Sequence, residues 1–181
     1  MEQRLSKLRA ALVKADLPAL LISAPSNRRY LSGFTGSYGH LLITLDQAFL
    51  LTDSRYVIQA SQEAPNYSVR QIITPGQELA GRLVEIAREC QLTRAGFEAA
   101  HLSVADFSRL TSALGDDLEL LPTEGLVEGL RQIKDQTELA IMRRAIALTD
   151  QVIEAVAARL LPEHTERQAA WMIEQALREG G

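Results

Sequence analysis

A mixed α/β sheet covered by helices, followed by a purely helical segment, is the architecture the sequence predicts. Three observations carry that prediction. Short apolar runs and helical repeats alternate over about the first 120 residues. Two of the runs, 40–44 and 48–52, are separated by only Leu45, Asp46 and Gln47, which makes at least one strand pair antiparallel. Beyond residue 135 apolar residues recur only at helical spacing. Strands alternating with helices bury a sheet between helical layers, and one hairpin makes that sheet mixed.

Each element follows from its residues. Leu5, Leu8 and Leu12 recur at helical spacing with charges between them, predicting an amphipathic helix over 3–15 that Leu17 and Pro18 end. A buried strand follows at 19–23, then a stretch punctuated by glycine at 24–39. After the hairpin, Asp53 or Ser54 can cap a short helix over 55–63, and 67–73 alternates as a strand. Thr74, Pro75 and Gln77 read as a helix start, with a threonine cap, proline in the first helical position and glutamine three residues on. That helix runs to about Cys90. Residues 95–98 form a short strand, Ser103 opens a helix ending near Gly115, and 118–121 closes the series. With Gly125 and Gly129, residues 123–133 read as the connection out, so the α/β domain spans 1–131 and the helical part 132–181.

In the helical part, Asp135 with Glu138 and Thr165 with Gln168 have the spacing of capping boxes. Between them Leu139, Met142, Ile146, Val152, Ile153, Val156 and Leu160 form an apolar face that Ile141, Ala145 and Leu148 widen. Burial of each large side chain is worth roughly 1.5–3 kcal/mol, so a face this broad calls for more than one partner. The sequence offers one further helix, 165–179. The second part is therefore expected to be an unfinished domain.

Composition narrows the function. Apolar residues make up 46% and charged residues 23%, as in ordinary globular proteins. The net charge of −4, shared equally by the parts on either side of Arg131, leaves no basic stripe for nucleic acid. No apolar run approaches the length of a membrane span, and charges interrupt residues 1–12 too often for a signal peptide. Cys90 is the only cysteine, which excludes an internal disulfide or a thiolate metal cluster. A cytoplasmic location is the economical expectation.

Candidate functional residues concentrate in 28–40, where Gly33, Gly36 and Gly39 recur every third residue. Such a loop needs positive φ or close backbone approach. It lacks the Gly-Lys-Ser/Thr of a phosphate loop and leads into a strand, which removes a nucleotide reading. Among the three histidines, His40 adjoins this loop and is kept as a candidate; His101 and His164 read as solvated. Glu98 and His101 have the spacing of a helical ligand pair but straddle a strand end and a loop. Asp53 and Arg55 read as a helix cap with a salt bridge. No catalytic triad is assignable from spacing alone.

Three segments resemble the creatinase/prolidase/aminopeptidase P family. They are Arg29-Tyr30-Leu31-Ser32-Gly33-Phe34-Thr35-Gly36-Ser37 with the strand after it; Leu51-Thr52-Asp53-Ser54-Arg55-Tyr56; and Leu130-Arg131-Gln132-Ile133-Lys134-Asp135 leading into Ile141-Met142-Arg143-Arg144-Ala145. Pro162-Glu163-His164 lacks the glycine that commonly follows this proline. The resemblance implies an N-terminal α/β domain, then the helical start of a truncated pita-bread catalytic domain. In that family the catalytic domain binds two divalent metals (manganese, cobalt or zinc) through two aspartates, a histidine and two glutamates, and cleaves the bond before proline. None of those ligands matches a residue here, so this chain alone is expected to be inactive. The resemblance assigns it dimerisation and narrowing of the active-site entrance. On the same resemblance Phe34, Tyr38 and His40 are expected to form the substrate rim, and the expected partners are proline-containing peptides and a second copy.

Two other classes remain open. Some peptidase-like domains of this fold carry no metal and bind proteins or peptides. A free-standing α/β interaction domain is the third, and the wide apolar face at 139–160 argues against it.

Overall fold

Leu5, Leu8 and Leu12 are all buried by helix α1 (Glu2–Lys14), which docks them on one face of a six-stranded sheet. The computed structural model describes residues 2–73 and 77–180, in two compact units, Met1–Gln132 and Ile133–Gly181. The first contains strands β1 (Ala19–Ile22), β2 (His40–Thr44), β3 (Ala48–Asp53), β4 (Ser68–Ile72), β5 (Arg94–Glu98) and β6 (Glu119–Thr123). Their spatial order is β4-β3-β2-β1-β5-β6. β2 pairs antiparallel with both β1 and β3; the other pairings are parallel, so the expected mixed sheet owes its character to β2.

Alternation along the strands sends side chains to two cores. Leu20 and Ile22 of β1, Leu41 and Ile43 of β2 and Leu50 of β3 meet α1, α2 (Pro25–Ser32), α3 (Val57–Glu63) and α6 (Leu126–Gln132) on one face. Leu21, Leu42, Phe49 and Phe97 meet α4 (Gln77–Glu89) and α5 (Val104–Leu114) on the other. The arrangement is three-layered. Ser103 caps α5 as expected, accepting from the Asp106 N–H at 3.1 Å.

Three local expectations need correction. Residues 24–39 are not irregular throughout, because α2 occupies their first half, with Pro25 in its first turn and Gly33 as a left-handed C-cap (φ 80°). Residues 123–133 are not merely a connection: α6 buries Val127 in the first core. Asp53 does not cap a helix. Its carboxylate accepts from the Arg55 N–H at 3.0 Å and pairs with the guanidinium at 2.7 Å, while α3 starts only at Val57 behind an uncapped Tyr56. The cap expected at Thr74 and Pro75 lies outside the described residues.

The second unit is a pair of helices, α7 (Gln136–Ala157) and α8 (Glu166–Gly180). Asp135 and Glu138 close a reciprocal capping box at 2.9 and 3.0 Å. Thr165 and Gln168 form its counterpart ahead of α8. Val152 and Val156 are buried, whereas Ile141, Met142, Ile146, Ile153 and Trp171 are exposed.

Candidate functional site

The helices that follow the neighbouring parallel strands β1 and β5 depart to opposite faces of the sheet: α2 goes to the α1 side and α5 to the α4 side. Such a divergence opens a crevice at the carboxyl ends of the strands, where open α/β sheets bind ligands. Here it is an open groove of about 940 Å³. Ser23 from the end of β1, Tyr38 and His40 from the entry to β2, and His101 from beyond β5 line it together with Leu79, Leu102, Asp106, Arg109 and Leu110.

The loop that brings Tyr38 and His40 there is built around a buried cation. Arg28 is only 4% exposed; its Nη1 donates to the Gly39 carbonyl and its Nη2 to the Gly36 carbonyl, each at 2.6 Å. The guanidinium lies 5.5 Å from the centre of the Phe34 ring, and among the described residues no carboxylate pairs with it. Burial draws its pKa below the ordinary guanidinium value. Gly36 packs so closely on the Phe34 ring that no side chain fits there, which explains one of the three glycines; the left-handed Gly33 explains a second. Thr52 Oγ1 donates to the Tyr38 carbonyl at 2.7 Å, and Glu63 accepts from the Thr35 N–H at 2.7 Å, fixing the loop on its outer side.

Glu98 fixes the chain at Ser23, which lines the groove. It is 7% exposed and faces the α2 side of the sheet. Its Oε2 accepts from the backbone N–H groups of Ser23 and Ala24 at 2.7 Å each, and its Oε1 from Asn27 Nδ2 at 2.6 Å. No side chain adjacent in sequence caps α2; a carboxylate from β5 takes the two N–H groups just ahead of it and the Asn27 amide in its first turn. Asn27 also donates to Glu128 of α6 and accepts from Arg131 at 2.8 Å, joining α2 to α6. His101, on the exposed surface, holds Ser23 Oγ at 3.0 Å through Nδ1.

Of the sequence-predicted rim residues, the structure brings Tyr38 and His40 together, their rings edge-to-face with centroids 5.7 Å apart. Phe34 is turned away, fully buried in the first core beneath the loop. Tyr38 is half-buried, and burial followed by the Asp53 charge raises its pKa, which keeps the hydroxyl protonated. His40 is pushed down to about 4 by burial, reinforced by Arg28 and His101, and its Nδ1 is buried without a partner among the described residues. His164 accepts from the Leu161 N–H, a local turn contact remote in sequence from these groups. Asn27, and the anchoring roles of Arg28 and Glu98, are not readable from sequence spacing. The signal for Glu98 was a charge ending the apolar run Ala95-Gly96-Phe97. Among the described residues no three or more His, Cys, Asp or Glu side chains come together to hold a metal, so none is assigned as a ligand.

The neutral His40 has a consequence for stability. Its folded pKa of about 4 lies below the ordinary 6.5, so the unfolded chain takes up a proton first as pH falls. Stability from this group is complete above about pH 6.5 and is lost between there and pH 4, by on the order of 3 kcal/mol. Urea melts at pH 7 and 4.5 should differ accordingly, and His40→Phe should flatten that difference. An unchanged difference would show that other groups cause it.

Residues 4–133 match the model of the creatinase/prolidase N-terminal domain. Over 178 residues the chain is 30% identical to an uncharacterized peptidase, YqhT, of Bacillus subtilis, covering 98% of this chain and 49% of that protein. An Xaa-Pro dipeptidase from Bacillus anthracis shares the fold with a TM-score of 0.90 and 30% identity, over 99% of this chain and 49% of that one. The N-terminal domain of cytoplasmic peptidase PepQ from Mycobacterium tuberculosis superposes with a TM-score of 0.63 and 42% identity, over 71% of this chain and 98% of that one. This chain thus spans about half the length of the two Bacillus proteins.

Proposed function

This chain belongs to the creatinase/prolidase N-terminal domain family, and from that premise we propose that it is the non-catalytic, dimerising and substrate-gating part of a metal-dependent Xaa-Pro peptidase. The observation that supports this most is the joint presence of a compact unit matching the N-terminal domain family and a following helical unit with an exposed apolar face, in a chain half as long as the peptidases it resembles. On this reading residues 132–181 begin the pita-bread domain, and its continuation covers Ile141, Met142 and Ile146. Two divalent ions, manganese, cobalt or zinc, would be held in that continuation, where such ions activate water and polarise the carbonyl before proline. The present residues bind, orient and exclude solvent.

The gating role falls to Tyr38 and His40, carried on a loop whose backbone is fixed from beneath by Arg28 and Phe34. Their substrates would be proline-containing peptides, and their partner a second copy of the chain. A cytoplasmic site of action is supported by the relative named a cytoplasmic peptidase, and no described helix is long and apolar enough to cross a membrane.

In the whole peptidase, Tyr38→Ala is expected to raise KM for an Xaa-Pro tripeptide about five- to tenfold, equivalent to roughly 1–1.4 kcal/mol, with kcat changed less. Steady-state kinetics alongside light scattering reads both the rim and the dimer. Unchanged KM together with unchanged association would remove the gating role. The 181-residue chain itself should release no product with any of the three metals. A whole protein that binds such peptides yet never cleaves them would be a metal-free binding module instead.

A further inference from the structure

The crevice between the diverging helices has a chemistry that selects its occupant. Ligands at such switch points are commonly anions drawn to free helix N-termini. Here carboxylates already stand beside both ends. Glu98 takes the N–H groups of Ser23 and Ala24 ahead of α2, and Ser103 caps α5 with Asp106 in its first turn. Arg109 at the rim is paired with Asp106, and the buried Arg28 gives both Nη groups to carbonyls while its Nε is buried without a partner among the described residues. An entering carboxylate or phosphate would meet the Asp106 carboxylate on the lining.

What is left unengaged on the lining is neutral. The Tyr38 hydroxyl and the His40 imidazole, whose Nδ1 is buried, line the groove and make no hydrogen bond to a described residue. A neutral imidazole carries one donor and one acceptor, and a phenol can serve as both. Leu79, Leu102 and Leu110 supply an apolar wall opposite them. A main-chain amide, with one N–H and one C=O, matches the polar end; a large apolar side chain matches the wall.

We infer that this crevice binds an uncharged peptide segment, holding one bulky aliphatic side chain against α4 and α5 and its adjoining amide against Tyr38 and His40. The site lies wholly within the first unit. Its specificity is for an aliphatic residue. The choice of a peptide as occupant rests on the proposed peptidase reading; the neutral, amphiphilic character of the site does not.

The test is a titration of the 181-residue chain with N-acetyl-leucine methylamide, followed by amide and imidazole chemical shifts. Saturable shifts at His40, His101 and Leu102 are expected, with at least tenfold weaker binding of the glycine methylamide and of N-acetyl-leucine carrying a free carboxylate. His40→Leu, which removes the polar contact, and Leu102→Ala, at a half-buried position, should each weaken binding at least fivefold in samples whose circular dichroism is unchanged. Shifts that do not saturate, that persist equally in both variants, or that favour the free acid or inorganic phosphate would overturn the inference. Because no cleavage is read, a whole protein that fails to hydrolyse Xaa-Pro peptides would defeat the proposed function and leave this result standing. The converse holds for a failed titration.

Discussion

Glu98→Ala should lower the unfolding free energy of the chain by about 4 kcal/mol. Three buried donors, the N–H groups of Ser23 and Ala24 and the Asn27 amide, converge on this one carboxylate. Each buried donor left without a partner costs about 1–3 kcal/mol, and bonds to an ionised acceptor are the stronger kind. Water reaching the gap recovers part of the loss, which keeps the total below the sum of the single costs. Glu98→Gln is the sharper probe, because it preserves shape. Its amide oxygen can still serve Ser23 and Ala24, but its NH2 then faces the NH2 of Asn27. Turning Asn27 over to relieve that contact takes its oxygen away from Arg131 and its donor away from Glu128. A loss of about 2 kcal/mol is expected, measured by urea denaturation at pH 7. If Glu98→Gln matched the parent protein within 0.5 kcal/mol, the carboxylate would not be the anchor of α2.

Arg28→Met should cost about 3 kcal/mol and loosen the loop at 33–39. Replacing a buried charge by an apolar side chain of similar length often stabilises a protein, since the desolvation penalty disappears. That relief is present here too, but the carbonyls of Gly36 and Gly39 would be stranded, and the cation above Phe34 would be lost. The two acceptors outweigh the relief. Because Gly39 adjoins His40, the variant should also speed amide exchange of the loop, while β5 and β6 stay protected. Equal stability, with loop exchange unchanged, would mean that sterics of Phe34 against Gly36 alone shape the loop.

Much of this fold was legible because its strands are apolar and short and its helices amphipathic. The hairpin of β2 and β3, the α1 leucines and the Asp135–Glu138 box each depend on residues within one or two turns of one another. The helices α2 and α6 were not legible for the same physical reason in reverse. Asn27, Arg28, Glu128 and Arg131 give them a polar character, and their places are set by partners up to 105 residues away. The pairing of β1 with β5 is likewise non-local. In the site, the loop position of Tyr38 and His40 could be read from the glycines beside them. That Phe34 turns inward could not, since an aromatic residue among glycines suits a rim and a core equally. The exposed face of α7 was anticipated from its breadth alone.

The Glu98 anchor also imposes an order in time. Ser23 meets its acceptor 75 residues further along the chain, so a ribosome adding about 5–20 residues per second makes that acceptor roughly 4–15 s after the donor. Until then α2 has an unserved end and β1 lacks its parallel neighbour, while the β2–β3 hairpin can already close. The nascent chain therefore passes through a stage in which β1–β4 exist but the N–H groups of Ser23 and Ala24 have no acceptor. Chaperone capture and proteolysis of stalled nascent chains should fall sharply once residue 98 has cleared the exit tunnel; no change at that length would place the ordering of α2 earlier.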